Sequence, residues 1–315
     1  MEDAVSGPIE QVLPGAAEVP FSHIADALAR SRDPGMRTTP PRTLTATVVA
    51  VCSRERLEAA AHTIATLGKD TAVRAILVCE GTETRPKSFV SDDTVAIESL
   101  RPIFINNAVA ALRLSSLPTL VWWSGCSHDL LDDLARLADR MVLDDPDPFG
   151  IWKRAAGFFG HAAFSDLRWT RLTRWRTLMA HFFDIPQVRD ATPRFDRLEI
   201  KGSDDAAAAL YGAWLTGALG RDRAIKVKVT PGTAGLFMEE VRLGNDNECL
   251  TLRLAPGGTC VVTSATVNNH RDVQRTVSMG DRSDSALLAE ELRIRVRDKA
   301  FELAVQKVIL QSSRS

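Results

Sequence analysis

Four arginines and two tryptophans fall within the first twelve residues of the stretch SDLRWTRLTRWRTLMAHFFD, Ser165 to Asp184. Guanidinium groups at this density can hold phosphate or carboxylate in paired hydrogen bonds, and indole rings can stack on them or bury in a protein interface. The spacing predicts one amphipathic helix, capped by Ser165 and with Asp166 at its positive end. On a helical wheel, Leu172, Trp175, Leu178, Met179, Phe182 and Phe183 form one apolar stripe. Thr170, Thr173, Thr177, Ala180 and Asp184 lie opposite. Arg168 and Arg171 project onto the stripe side, whereas Arg174 and Arg176 flank it. A guanidinium on a packing face must find a carboxylate, a carbonyl or an anion, because burying it alone is costly. Two arrangements meet that need: a network of internal ion pairs, or a surface ready for a partner.

Other residues invite a catalytic reading. LDDPDP supplies Asp144, Asp145 and Asp147 after a strand, in the manner of a metal-binding DxD, but its two prolines favour turn and capping roles. WSGCSH brings Ser124, Cys126 and His128 together in one loop; a nucleophilic triad is instead assembled across a fold. The turn after the first apolar strand reads VCSRERLE, with no glycine between Gly35 and Gly68. A dinucleotide needs glycines there so that the backbone can approach its pyrophosphate, and GxxxxGK[ST] is absent as well. The six histidines are scattered and the five cysteines form no CxxC pair, which argues against a zinc site and for a reducing compartment. Cys249 and Cys260 are expected about four residues out of register across a hairpin, on the order of 13 Å apart and too far for a disulfide. No catalytic, cofactor or metal-binding residue is therefore assigned.

The elements that must position these residues follow from periodicity. TLTATVVAVC is a strand, RERLEAAAHTIATLG a helix ended by Gly68, and TAVRAILVCEG a second strand, which makes a βαβ unit. TVAIESL, TLVWWSG and RMVLDD add strands, alternating with helices over INNAVAALRLSSL and SHDLLDDLARLADR. The adjacent Trp122 and Trp123 of TLVWWSG point to opposite faces at the carboxyl edge of the sheet, where open α/β folds gather ligands. DRLEIKG, DDAAAALYGAWLTGALG and RAIKVKVTPG form a later βαβ unit, with Ile225, Val227 and Val229 on one face of the last strand. Short strands with tight turns follow, and a long, interruptible helix closes the chain.

The expectation is an α/β protein: a mostly parallel, Rossmann-like N-terminal sheet with helices on both faces, then an α+β domain with an antiparallel meander and a long terminal helix. Domain boundaries are placed at a partly ordered arm over 1–42, an α/β domain over 43–147, a helical connector over 148–186 and the α+β domain over 187–315. With 315 residues, 45% hydrophobic and 25% charged, and a net charge of −1, the chain has no overall pull toward nucleic acid or acidic membrane. It shows no apolar run of membrane-spanning length and no secretory signal, so a cytoplasmic location is expected.

DLRWTRLTRWR (166–176), LPTLVWWSG (117–125) and GAWLTGAL (212–219) together resemble the OpcA family, the glucose-6-phosphate dehydrogenase assembly proteins. The similarity spans roughly residues 40 to 310, with the tryptophan and arginine stretch its most specific part. It implies a non-catalytic partner that binds glucose-6-phosphate dehydrogenase and promotes its active state in the oxidative pentose phosphate pathway. The signature residues, for partner binding or for structure, are Trp122, Trp123, Asp166, Arg168, Trp169, Arg171, Trp175, Arg176 and Trp214. The alternative is an enzyme that binds a nucleotide or sugar phosphate at the carboxyl edge of the first sheet, near Trp122, Trp123 and Asp145.

Overall fold

The structure is a computed structural model and describes residues 9, 12–13, 15–31, 35, 42–83, 85–268, 270–271, 274–294 and 296–312. Much of the expected arm, at 1–8, 10–11, 14, 32–34 and 36–41, lies outside the described residues. The chain divides into two compact units, residues 1–167 with 283–298, and residues 168–282 with 299–315. The division falls between Leu167 and Arg168, inside the segment expected to connect the domains.

The first unit is built on eight strands: β1 (Ala17–Val19), β2 (Ala46–Cys52), β3 (Val73–Glu83), β4 (Ser88–Ser91), β5 (Thr94–Leu100), β6 (Thr119–Ser124), β7 (Arg140–Leu143) and β8 (Ala163–Asp166). Their order is β1-β4-β5-β3-β2-β6-β7-β8, parallel from β5 to β8, with β1 and β4 antiparallel at one end. Every residue of β2 and β6 is buried, as continuous apolar runs demand when helices cover both faces of a parallel sheet. The helices are α1 (Ile24–Arg30), α2 (Leu57–Asp70), α3 (Pro102–Leu112), α4 (Leu131–Leu137) and α5 (Pro148–Ala155). Helix α2 runs past Gly68, correcting the expected stop. Its Leu57, Ala60, Ala61, Ile64 and Leu67 pack into the core with Leu77, Trp122 and Leu288.

The second unit begins in the arginine-rich stretch. The single helix expected from Ser165 is instead the end of β8 followed by α6 (Leu167–Arg171) and α7 (Thr173–Phe182), joined through Leu172. Thr170, expected opposite the apolar stripe, is buried. After α8 (Pro186–Ala191) come β9 (Arg197–Gly202), α9 (Asp205–Ala218) and β10 (Lys226–Pro231), a parallel βαβ unit. The meander β11 (Glu240–Gly244), β12 (Cys249–Leu254) and β13 (Cys260–Val267) is antiparallel, and the short β14 (His270–Arg271) and β15 (Arg275–Ser278) both pair with β13. β10 is the end strand of this sheet. Leu198, Ile200, Val241, Leu243, Leu250 and Leu252 line its buried face. Cys249 stands opposite Thr266, six residues along β13 from Cys260, so the two sulfurs are farther apart than the sequence suggested. The terminal helix is two helices, α10 (Asp284–Arg293) in the first unit and α11 (Lys299–Ser312) in the second. Among the described residues no helix is long and apolar enough to cross a membrane.

One carboxylate of this sheet gives an acid-stability prediction. Glu239 accepts from Lys201 Nζ at 2.8 Å and from the Thr233 amide. The Lys201 hydrogen bond first, then the Thr233 amide, hold its carboxyl down at about 2, against an ordinary value of 4.5. The ionised form is thus favoured in the folded state. Its contribution is fully present above the ordinary value and is lost as pH falls through about 2. An NMR titration of the Glu239 carboxyl should show a midpoint near 2, returning toward the ordinary value in Lys201→Met.

Candidate functional site

The signature residues divide between the two units. In the first unit, Trp122 and Trp123 occupy the carboxyl-terminal half of β6 and are both buried. Trp122 joins the core cluster with Leu57 and Leu167, whereas Trp123 turns its indole N–H to Asp145 Oδ2 at 3.1 Å. The same oxygen lies 3.4 Å from His128 Nε2, and Asp145 Oδ1 accepts the Asp147 amide at 2.8 Å. Asp147 caps α5, its side chain accepting from the Gly150 amide at 3.2 Å. Arg56 bridges Asp144 Oδ2 at 2.6 Å, the Asp144 carbonyl at 2.9 Å and Ser124 Oγ at 3.2 Å. The three aspartates of LDDPDP therefore hold an indole, a guanidinium and a helix end, the capping and turn work their prolines favour. Among the described residues, no group of three or more His, Cys, Asp or Glu could hold a metal ion.

Gly125 follows β6 with φ +65°, and a Cβ there would meet Arg56 Cδ at 3.2 Å and Nε at 3.3 Å, so the left-handed turn and the Arg56 side chain both favour glycine. Ser124, Cys126 and His128 each have a different partner. Ser124 meets Arg56, the buried Cys126 thiol donates to the Val51 carbonyl at 3.7 Å, and His128 meets Asp145. A cleft of about 370 Å³, lined in part by Leu44, Ala65, Thr71, Val73 and Asp93, opens at the opposite, amino-terminal edge of this sheet. Sequence reasoning missed it because its lining comes from strand starts and turns that carry no motif.

Asp166 and Ser165 also belong to the first unit, as the end of β8. Asp166 Oδ2 accepts the Trp152 indole N–H at 2.8 Å, and Ser165 Oγ donates to Glu291 Oε1 at 2.9 Å. Ser165 caps no helix, whereas Asp166, expected at the positive end of one, directly precedes α6. Trp152 and Glu291, which the sequence did not single out, complete these buried bonds; Glu291 is recognisable only as an acid on an otherwise amphipathic helix.

In the second unit, α6 and α7 set the remaining signature residues around α9. Arg168 Nε meets Asp204 Oδ2 at 2.9 Å, and Asp204 caps α9 by accepting the Ala207 amide at 2.8 Å. Trp169 is buried, with the Arg176 guanidinium carbon 3.6 Å from its ring centroid and the Phe301 ring at 5.8 Å. Arg176 also donates to the Trp169 carbonyl and to Thr173 Oγ1, each at 3.3 Å, and lies 5.9 Å from the Trp214 ring. Trp214 is half-buried and meets Tyr211 edge-on at 5.3 Å. The Tyr211 hydroxyl donates to the Trp175 carbonyl at 3.4 Å, and burial raises its pKa beyond the ordinary tyrosine range. Trp175 is fully buried; Arg171 is half-buried and Arg174 exposed. The arrangement is a stacked tryptophan, arginine and tryptophan group held by α6, α7 and α9, in which most of the signature is interior.

Residues 162–305 match the family model OpcA_G6PD_C, described as the C-terminal domain of the glucose-6-phosphate dehydrogenase subunit. The chain is 26% identical over 280 residues to the "Putative OxPP cycle protein OpcA" of Synechococcus elongatus, covering 74% of this chain and 63% of that one. It is 24% identical over 258 residues to the protein of the same name from Synechocystis sp., covering 67% and 54%. It thus spans less than two thirds of either relative's length. A solved "putative nadph-dependent oxidoreductase" from Desulfitobacterium hafniense aligns over 87% of this chain and 96% of that chain at 10% identity, with a TM-score of 0.48, a likeness that carries no argument. The matched domain and the two named relatives make this chain similar to the OpcA family.

Proposed function

We propose that this chain is a non-catalytic partner of glucose-6-phosphate dehydrogenase that binds the enzyme and shifts it toward its active state. The observation that carries the reading is the matched domain over 162–305, whose description names that dehydrogenase. Support comes also from the carboxyl edge of the first sheet. There Asp144, Asp145 and Asp147 are engaged by Arg56, by Trp123 and His128, and by the Gly150 amide of α5.

A partner can move such an equilibrium only by binding one state of the enzyme better than the other. Dehydrogenase activity titrated with the full chain should therefore rise and saturate, with a lower apparent substrate KM, a higher kcat or a larger assembly. A preference of tenfold between states corresponds to about 1.4 kcal/mol of differential binding. No change in KM, kcat or assembly size across a saturating titration would overturn the proposal. Thermal stabilisation of this chain by nucleotides or sugar phosphates would instead favour an enzyme working at that edge.

A further inference from the structure

Strand β10 ends the second sheet and, among the described residues, pairs on one side only, with β9. The Lys226 amide donates to the Asp196 carbonyl at 2.8 Å, and the Gly232 amide to the Gly202 carbonyl at 2.8 Å. In a parallel ladder this phase turns the amides and carbonyls of 226, 228 and 230 toward β9 and those of Val227 and Val229 outward. Pro231 occupies the next outward position, where its missing N–H costs the sheet no bond.

The side chains on this edge divide by face. Val227 and Val229 are register partners of the fully buried Leu198 and Ile200, yet remain 45% and 40% exposed. The sequence placed them together on one face, which is the face that packs on α9, but among the described residues no further strand flanks them. Helix α9 passes close beneath: a Cβ on Gly212 would come within 3.1 Å of Val227 Cγ1. On the other face, Lys226 and Lys228 are exposed and form no ion pair among the described residues. Their register partners on β9 are engaged elsewhere, Arg197 with Asp196 at 3.3 Å and with Asp246, and Glu199 with Arg242 at 4.0 Å.

We propose that the outer edge of β10 takes up an extended segment of a partner protein as an additional strand, one whose alternate residues are apolar and acidic. The apolar residues would extend the row formed by Val227 and Val229, the acidic ones would meet Lys226 and Lys228, and the free backbone groups would supply the ladder. A second copy of this chain fits poorly, because pairing two such edges brings lysines against lysines, the device by which edges repel one another. The inference rests on the reading of the chain as a partner-binding protein and names the surface it would use.

The test uses the full chain and a capped eight-residue peptide alternating valine and glutamate, with a valine and lysine peptide as its counterpart. Hydrogen exchange at the Val227 and Val229 amides should slow by about tenfold with the glutamate peptide and stay unchanged with the lysine peptide. In Lys226→Glu/Lys228→Glu the preference should reverse. Absence of protection at those two amides with the glutamate peptide overturns the inference. Val229→Pro removes only an outward amide, so it should leave the melting temperature unchanged and weaken capture of glucose-6-phosphate dehydrogenase by about tenfold. Equal capture by this variant and the unaltered chain sinks the edge while leaving the proposed function in place. An unaltered chain that captures no dehydrogenase, with its edge still protected by the peptide, sinks the function and leaves the edge.

Discussion

Replacing Glu291 by alanine is expected to destabilise the first unit by about 3–5 kcal/mol, the cost of breaking a buried ion pair from one side. Arg140 Nε and Glu291 Oε2 are 2.6 Å apart, with side-chain exposures of 7% and 1%. The second carboxylate oxygen accepts from Ser165 Oγ at 2.9 Å, and the guanidinium also donates to the Val296 carbonyl at 3.2 Å. Without Glu291 a buried cation loses its counter-charge and the Ser165 hydroxyl loses its acceptor. Arg140→Met with Glu291→Leu removes both charges together and should recover most of the loss, since well-packed apolar residues often replace such pairs at little cost. Urea unfolding read through hydrogen exchange in β7 measures both variants locally, which matters because two units need not unfold as one. A loss below about 1 kcal/mol for Glu291→Ala would show the pair behaving like an exposed salt bridge.

That pair also shows where the sequence stops being readable. The parallel sheet was legible because β2 and β6 are continuous apolar runs, and the lengths between them suit helices. β8 was not. AFSD carries serine and aspartate, which ahead of an apolar periodicity read as a helix start. It is a strand because Phe164 fills the core beside β7 while Ser165 and Asp166 find partners at Glu291 and Trp152. Glu291 lies 126 residues away, and local pattern has no access to it. β4 was missed for a different reason: SFVS is four residues long, and its antiparallel turn into β5 relies on Asp92 at φ +46°. For β10 the alternation gave the correct face, but burial depends on how many strands lie beyond it, which alternation does not encode. The arginines are the same problem in charge. Their crowding showed that partners were needed, yet Asp204 for Arg168 and the Trp169 ring for Arg176 emerge only from the packing of α6 and α7 around α9.

Trp169→Ala should cost the second unit about 3–5 kcal/mol, since a fully packed indole is lost from between Phe301 and the Arg176 guanidinium. Arg176→Ala should cost less, about 1–2 kcal/mol, through the lost stacking and the bonds to the Trp169 carbonyl and Thr173. Because the two groups touch, their effects should not add. A double-mutant cycle should return a coupling of about 1–2 kcal/mol, and a coupling near zero would show that the 3.6 Å stack contributes nothing. Trp169→Phe keeps a ring under the guanidinium and should retain most of the stability. These variants also separate two roles for the signature stretch. If Trp169→Ala abolishes an effect on glucose-6-phosphate dehydrogenase while Trp169→Phe preserves both effect and melting temperature, the tryptophan acts by holding α6 and α7 in place. Arg174 is exposed on α7, so Arg174→Glu should leave urea unfolding unchanged. A loss of dehydrogenase binding in that variant alone would put the partner on the outer side of the helix, with the buried tryptophans as its support.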